Sequence, residues 1–340
     1  MAPTFYPDSR PLLIGSLPLT DHGEALQWIL MHTPDLPLWG QLPAFPQEGM
    51  IPQFIPGLPG VRTIDGRTFV DTAAEAFDAD LLAFYERYLA LSEGLGSEGL
   101  GSEGLDSEGP DEDEGGLDSS EFALTPEIAG GFFALQDHLR TQAQPPLAVK
   151  GQITGPITFC TGVKDQEGRA IFYNDAVREA AIKLLALKAA WQTRALGEHG
   201  CPVIVFIDEP ALAGYGSSEL ISISREETVA CLAEVVAAIH AQGGLAGIHV
   251  CANTDWSLVI ESGCDIVNFD AYAYFDRFLL YPDQIRAFVE RGGLLALGVV
   301  PTLKPDEIDA EDVDSLYQGW RTRMDRLAAL GLDPQRLYRQ

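Results

Sequence analysis

The sequence predicts an α/β chain folded as a (β/α)₈ or TIM barrel carrying a disordered acidic insertion, and three observations lead there. Short apolar runs alternate with longer helical patterns along a chain of 340 residues, the order expected of βα units around a parallel sheet. Eight such runs can be counted, at residues 12–15, 38–41, 148–153, 203–207, 246–250, 266–269, 294–297 and 337–338. That number favours a closed barrel over an open doubly wound sheet. Polar residues also recur at the C-terminal ends of these runs, where a barrel keeps its working groups.

Taken in order, the helical patterns fall at residues 24–31, 74–91, 126–142, 176–196, 225–241, 282–291 and 312–330. Thr125-Pro126-Glu127 predicts the start of the third, a capping residue followed by proline at the first helical position. The eighth apolar run is cut short at Gln340. Between residues 92 and 121 lies a tandem SEGLG-type repeat whose acids, among them Glu93, Glu98 and Glu103, meet no base. A stretch of that composition cannot bury enough apolar surface to offset its ordering entropy. The expectation is therefore one catalytic domain over residues 1–340, interrupted by a disordered acidic loop.

Composition narrows the function classes. With 22 Lys and Arg against 50 Asp and Glu, the net charge of −28 repels phosphate backbones and anionic lipid headgroups, so neither nucleic acid nor a membrane surface is an expected partner. The start, MAPTFYPDSR, lacks a basic segment followed by an apolar run. No stretch approaches the roughly 20 apolar residues that span a bilayer, and a cytoplasmic protein is expected. The 5 cysteines are odd in number and scattered, which argues for reduced thiols over a disulfide framework.

Two patterns carry the chemistry. In Gly247-Ile248-His249-Val250-Cys251, side chains two apart on a strand share a face, so His249 and Cys251 can reach one ion. Imidazole plus thiolate suits Zn²⁺, and Asp270, ending the next run, offers an oxygen ligand. The alternative is a buried small cysteine beside a hydrogen-bonded core histidine. In the second pattern, residues 205–212, an apolar strand delivers Asp208 and Glu209 to its end and Pro210 stops it. Adjacent residues face opposite ways, so Asp208 is expected at a substrate amine with Glu209 behind it; a structural salt bridge is the alternative. Ile14, Gly15 and Ser16 offer backbone amides and a hydroxyl to a carboxylate, and the turn after Lys150-Gly151-Gln152-Ile153-Thr154 could cradle a ligand.

Taken together, IGSLP (14–18), ITGPIT (153–158), IDEPAL (207–212), HVC (249–251) and NFD (268–270) resemble the catalytic barrel of cobalamin-independent methionine synthase, whose fold is shared with uroporphyrinogen decarboxylase-type proteins. The resemblance runs from about residue 11 onward. It implies a zinc ion on His249 and Cys251, with Asp270 where the family has Glu. The family's last Cys ligand would fall beyond Gln340, leaving Cys264 or water to complete the shell. It further implies a homocysteine carboxylate held by Ile14–Ser16 and an amine held by Asp208, with Gln41 or Glu48 standing in for a family Glu. Positions that handle folate in the family hold other residues here, Gly214 and Gly298 among them. The expected activity is therefore methyl transfer to a thiol, most plausibly homocysteine to give methionine, from a folate or corrinoid donor. Two alternatives are a decarboxylase of the uroporphyrinogen type, which would need clustered basic residues, and a non-catalytic thiol- or corrinoid-binding barrel.

Overall fold

The computed structural model describes residues 5–97, 117, 121–217 and 220–337. In chain order these form α1 (His22–His32), a hairpin of β1 (Val61–Ile64) and β2 (Arg67–Val70), α2 (Phe77–Ser97), α3 (Gly130–Thr141), β3 (Val149–Thr154), α4 (Pro156–Gly162), α5 (Asp175–Gly197) and β4 (Val203–Asp208). Then follow α6 (Arg225–Ala241), β5 (Leu245–Val250), α7 (Trp256–Glu261), β6 (Ile266–Asp270), α8 (Ala271–Phe278), α9 (Pro282–Glu290), β7 (Leu294–Gly298), α10 (Pro305–Ala310), α11 (Val313–Ala328) and α12 (Pro334–Leu337).

Strands β3 to β7 pair in sequence order as a five-stranded parallel sheet. Two of the predicted strands join its β3 edge only through parallel bridges, Leu38 to Lys150 and Ser16 to Gln41. The bonds are Lys150 N–H to the Pro37 carbonyl at 2.9 Å and Gln41 N–H to the Gly15 carbonyl at 2.9 Å. Prolines at 11, 18, 37 and 43 remove the N–H donors that would lengthen these ladders. The predicted eighth strand is not formed where the structure describes it: Leu337 ends the helix α12 and is buried. Tyr338 lies outside the described residues.

The parallel sheet separates two apolar clusters. On its outer face Val149, Ile153, Val205, Ile207, Ala246, Ile248, Val250, Val267 and Phe269 pack into the main core with the helices. α5, flanked by β3, β4 and α6, is buried nearly all round, as befits a helix inside several layers. On the concave face Leu36, Ala148, Ile204, Phe206 and Ile266 make a smaller cluster, joined by Phe5, Leu12, Leu245, Leu294 and Ala296. Leu12 and Leu294, from opposite edges, lie against that same cluster, so the sheet curls around it.

Helix boundaries follow their caps. Asp21 accepts from Glu24 N–H at the start of α1, Asn174 from Val177 N–H at α5, and Ser224 with Glu227 closes a capping box on α6. The third predicted helix is shorter than its Thr125-Pro126 signal indicates. Residues 125–129 form a turn, with Ala129 N–H bonded to the Thr125 carbonyl at 3.0 Å, and α3 begins at Gly130. Docking sets this start, since a Cβ on Gly131 would lie 1.9 Å from the Gly40 carbonyl oxygen. The hairpin was not anticipated, although Asp65 (φ 50°) and Gly66 (φ 75°) are an Asp-Gly pair of the kind that makes two-residue hairpin turns.

The acidic insertion also differs from expectation at its ends. α2 continues through residues 92–97, Leu117 is buried in the main core, and Glu121 pairs with Arg87 at 2.6 Å. Residues 98–116 and 118–120 lie outside the described residues. Among the described residues no helix is long and apolar enough to cross a membrane.

The docking of α3 gives a direct test. Gly131→Ala should destabilise the fold by about 3 kcal/mol, because the clash is with backbone that cannot rotate away. Gly319→Ala on α11, whose added Cβ meets only the end of Arg323, should be neutral or stabilising by up to about 1 kcal/mol. Urea unfolding of the two variants reads both; a Gly131→Ala protein as stable as the wild type would contradict the docking.

Candidate active site

Register across the parallel sheet places one row of polar side chains on its concave face. Thr154 is paired with Asp208, Asp208 with His249 and His249 with Asn268. These are the ends of four neighbouring strands. The row beneath contains Gln152, Phe206, Gly247 and Ile266, so on β4 to β6 the polar groups sit directly on an apolar floor. Gly247 is required there, since a Cβ would stand 2.3 Å from the Phe206 ring.

His249 is held in one tautomer. Asn268 Nδ2 donates to the Ala296 carbonyl at 2.6 Å, which turns its Oδ1 toward His249, and His249 Nδ1–H donates to that oxygen at 2.5 Å. The ring therefore keeps its lone pair on Nε2, the arrangement of a metal-ligating or base-type histidine. Burial, opposed by the Asn268 bond and assisted by the Lys150 charge, pulls its pKa down to about 4. The imidazole is neutral at physiological pH.

Asp208 is buried, and its Oδ1 has no hydrogen-bond partner. Burial pushes its carboxyl well above the usual range, and the charge of Lys150 opposes that shift. Lys150 is buried completely on β3. Its Nζ donates to the Ile14 carbonyl at 2.5 Å and stands 4.6 Å from the centroid of the Phe206 ring. Burial pulls its pKa down, and the carboxyl of Asp208 acts the other way. A buried carboxylate oxygen with no donor is costly. A cationic ligand group would satisfy it.

The other expected site residues divide. Gly15, at φ 149°, lies close over Gln152, where a Cβ would approach within 3.2 Å; Ile14 and Ser16 beside it are exposed. Cys251 follows β5 and is exposed, its thiol raised by desolvation and by the charges of Asp208 and Asp270. Asp270 ends β6 but caps α8, accepting from Ala273 N–H at 3.0 Å.

Glu209 faces away from the concave side. It is fully buried and its carboxylate accepts from Ile157 N–H at 2.8 Å, Thr158 N–H at 2.9 Å and the Thr158 hydroxyl at 2.7 Å. It anchors the start of α4 and has no position at a substrate. Burial pushes it up to about 7 against the pull of those donors. Gln41 is likewise occupied by Gln53 at 2.5 Å. Glu48 is taken by Leu42 N–H and His22, each at 2.9 Å. Cys264 belongs to the main core on the helix side and donates to the Val259 carbonyl; it cannot complete a metal shell at the concave face.

Among the described residues, no three His, Cys, Asp or Glu side chains converge as a metal-binding group. The expected zinc set is thus not assembled among the described residues: His249 lies near the end of β5, Cys251 follows it, and Asp270 is engaged as a cap. Sequence analysis also missed the parts of Lys150 and Asn268. A lysine inside an otherwise buried strand was the available signal for the first, because lysine is almost never fully buried unless paired. No protein-family model and no curated protein sequence matches this chain.

The histidine generates a pH prediction. In the fold His249 titrates near 4, against about 6.5 in an unfolded chain. Between those values the unfolded chain takes up a proton that the fold refuses, so this group's contribution falls as pH drops through the window. With chelator present, wild type should lose up to roughly 3 kcal/mol relative to His249→Gln between about pH 7 and pH 4. Urea unfolding at each pH measures the difference; parallel curves would show that His249 is not held neutral.

Proposed function

We propose that this chain is a thiol methyltransferase with a (β/α)₈-type barrel architecture, acting on homocysteine or a close α-amino thiol, with zinc as its metal and a folate or corrinoid as methyl donor. One observation carries the proposal: His249 is fixed by Asn268 with Nε2 unprotonated, two residues before an exposed thiol and one strand from a buried, unsatisfied carboxylate oxygen on Asp208. The curl of the parallel sheet around its own apolar plug supports the barrel. A neutral imidazole and a cysteine form a donor pair suited to zinc.

His249 and Cys251 would hold the metal. Asp270 would join through the oxygen not used in its cap, since a carboxylate has more than one acceptor site. Bound zinc lowers the pKa of a coordinated thiol so that it reacts as the thiolate. The protein's own groups do the rest. Asp208 Oδ1 accepts the ligand ammonium, which places the amino-acid end on β4 and leaves the side-chain sulfur toward β5. Amides and the hydroxyl of Gly15 and Ser16 receive the carboxylate. The apolar floor below the polar row closes the site to water from beneath and strengthens these contacts.

A second reading, a thiol- or corrinoid-binding barrel without catalysis, is favoured by the lack of a third converging ligand among the described residues. Metal analysis and calorimetric titration with L-homocysteine under reducing conditions distinguish the two. Under the methyltransferase reading about one zinc binds per chain, and Cys251→Ser loses it while keeping the fold. Asp208→Asn keeps the zinc and weakens homocysteine binding by roughly tenfold or more, the value of a charge-assisted hydrogen bond. A wild-type protein with no affinity for zinc would sink the catalytic reading, and unchanged binding by Asp208→Asn would remove that residue from the ligand.

A further inference from the structure

Lys150 is a buried charge that the proposed chemistry does not use. Its ammonium bonds the Ile14 carbonyl at 2.5 Å and approaches Gln152 Oε1 at 3.4 Å. Gln152 in turn donates to the Trp39 carbonyl at 2.8 Å and lies under Gly15, where any Cβ would press on it. Thus Lys150 and its neighbour fasten the Ile14–Ser16 segment to β3. This matters because that segment is joined to the sheet by a bridge alone, with no extended ladder of its own. The same ammonium stands 4.6 Å from the centroid of the Phe206 ring, two residues before Asp208 on the same face of β4; it makes no direct ion pair with that carboxyl, whose Oδ1 lacks a donor, but is the cation that acts on it.

We propose that Lys150 is a positioning residue for the amino-acid end of the ligand: it pins the Ile14–Ser16 segment through the Ile14 carbonyl and balances the negative charge of Asp208. Carboxylate-binding and amine-binding sides of the site then keep a fixed spacing, because one buried side chain serves both. This rests on the amino-thiol reading for its ligand, but not for its two structural limbs. Phe206, beneath the ammonium, and Gly247, which makes room for Phe206, hold Lys150 in place. If Lys150 merely filled space, its loss would be independent of Asp208. Removing one member of a buried charge pair instead strands the other.

The test uses Lys150→Met, Asp208→Asn and their double variant, with hydrogen exchange of peptides covering residues 13–17, urea unfolding, and titration with L-homocysteine. Lys150→Met should speed exchange in that segment at least roughly tenfold while β5 and β6 peptides are unchanged, and should weaken homocysteine binding by a similar factor. The double variant should be more stable than Lys150→Met alone by roughly tenfold in the folding constant, since Asn at 208 removes the stranded charge. Additive losses with unchanged exchange would overturn the proposal. Should Lys150→Met fail to fold while the double variant folds, the charge balance is upheld. Lys150→Gln, which keeps a donor for Ile14 and drops the charge, separates the limbs: exchange stays slow, but coupling to Asp208→Asn persists. A wild-type protein that ignores homocysteine defeats the functional reading only, and exchange and the mutant cycle still decide the role of Lys150.

Discussion

In β3, β4, β5 and β6 successive side chains point alternately to the helices and to the concave face, and the site depends on that alternation being in register across all four strands. A slip of one residue in β4 would send Asp208 into the helix layer and bring Glu209 to the mouth. The apolar clusters on the two faces guard against it. Phe206 and Ile204 face one cluster while Val205 and Ile207 face the other, and burying each such side chain is worth roughly 1.5–3 kcal/mol. Glu209 adds a second lock, because its three bonds to the start of α4 hold the strand end at one rotation.

The same alternation explains how charged groups come to be buried. Lys150 and Asp208 occupy positions where the period demands an inward side chain, above Ala148 and Phe206 respectively. Burying them would be strongly unfavourable singly. With the Ile14 carbonyl and the Phe206 ring beside the ammonium, they share one face of the sheet, Lys150 in the Ile204 row and Asp208 two rows nearer the strand ends. Asn268 plays the corresponding part for His249. By bonding Ala296 on β7 and His249 on β5, it transmits the spacing of three strands to one imidazole tautomer.

Much of this arrangement was legible in the chain. The strand runs at 148–153, 203–207, 246–250, 266–269 and 294–297 match β3 to β7 closely, because continuous apolar runs with branched side chains are what strands buried on both faces require. The helical patterns at 225–241 and 312–330 match α6 and α11 to within two residues at each end. Proline-interrupted segments were harder to read, and two predicted strands survive only as bridges. Short helices such as α7 and α8 span too few turns to establish a period, and α3 starts where Gly131 can touch Gly40, a contact invisible in local sequence.

For the site, strand period was enough to expect Asp208 and His249 on one face of the sheet, and the register pairs them there, since side-chain direction in a strand is a local property. Which of two adjacent carboxylates faces the concave side followed from the same rule. Partnership was another matter. That Asp270 caps α8, that Gln41 and Glu48 are satisfied by Gln53, Leu42 and His22, and that Asn268 sets the tautomer of His249 depend on atoms brought together from distant parts of the chain. Lys150 is the clearest case: the sequence determined that it points inward from β3, but only the tertiary structure decided that its ammonium meets the Ile14 carbonyl, 136 residues away, over the Phe206 ring, because such contacts are a matter of distance in space.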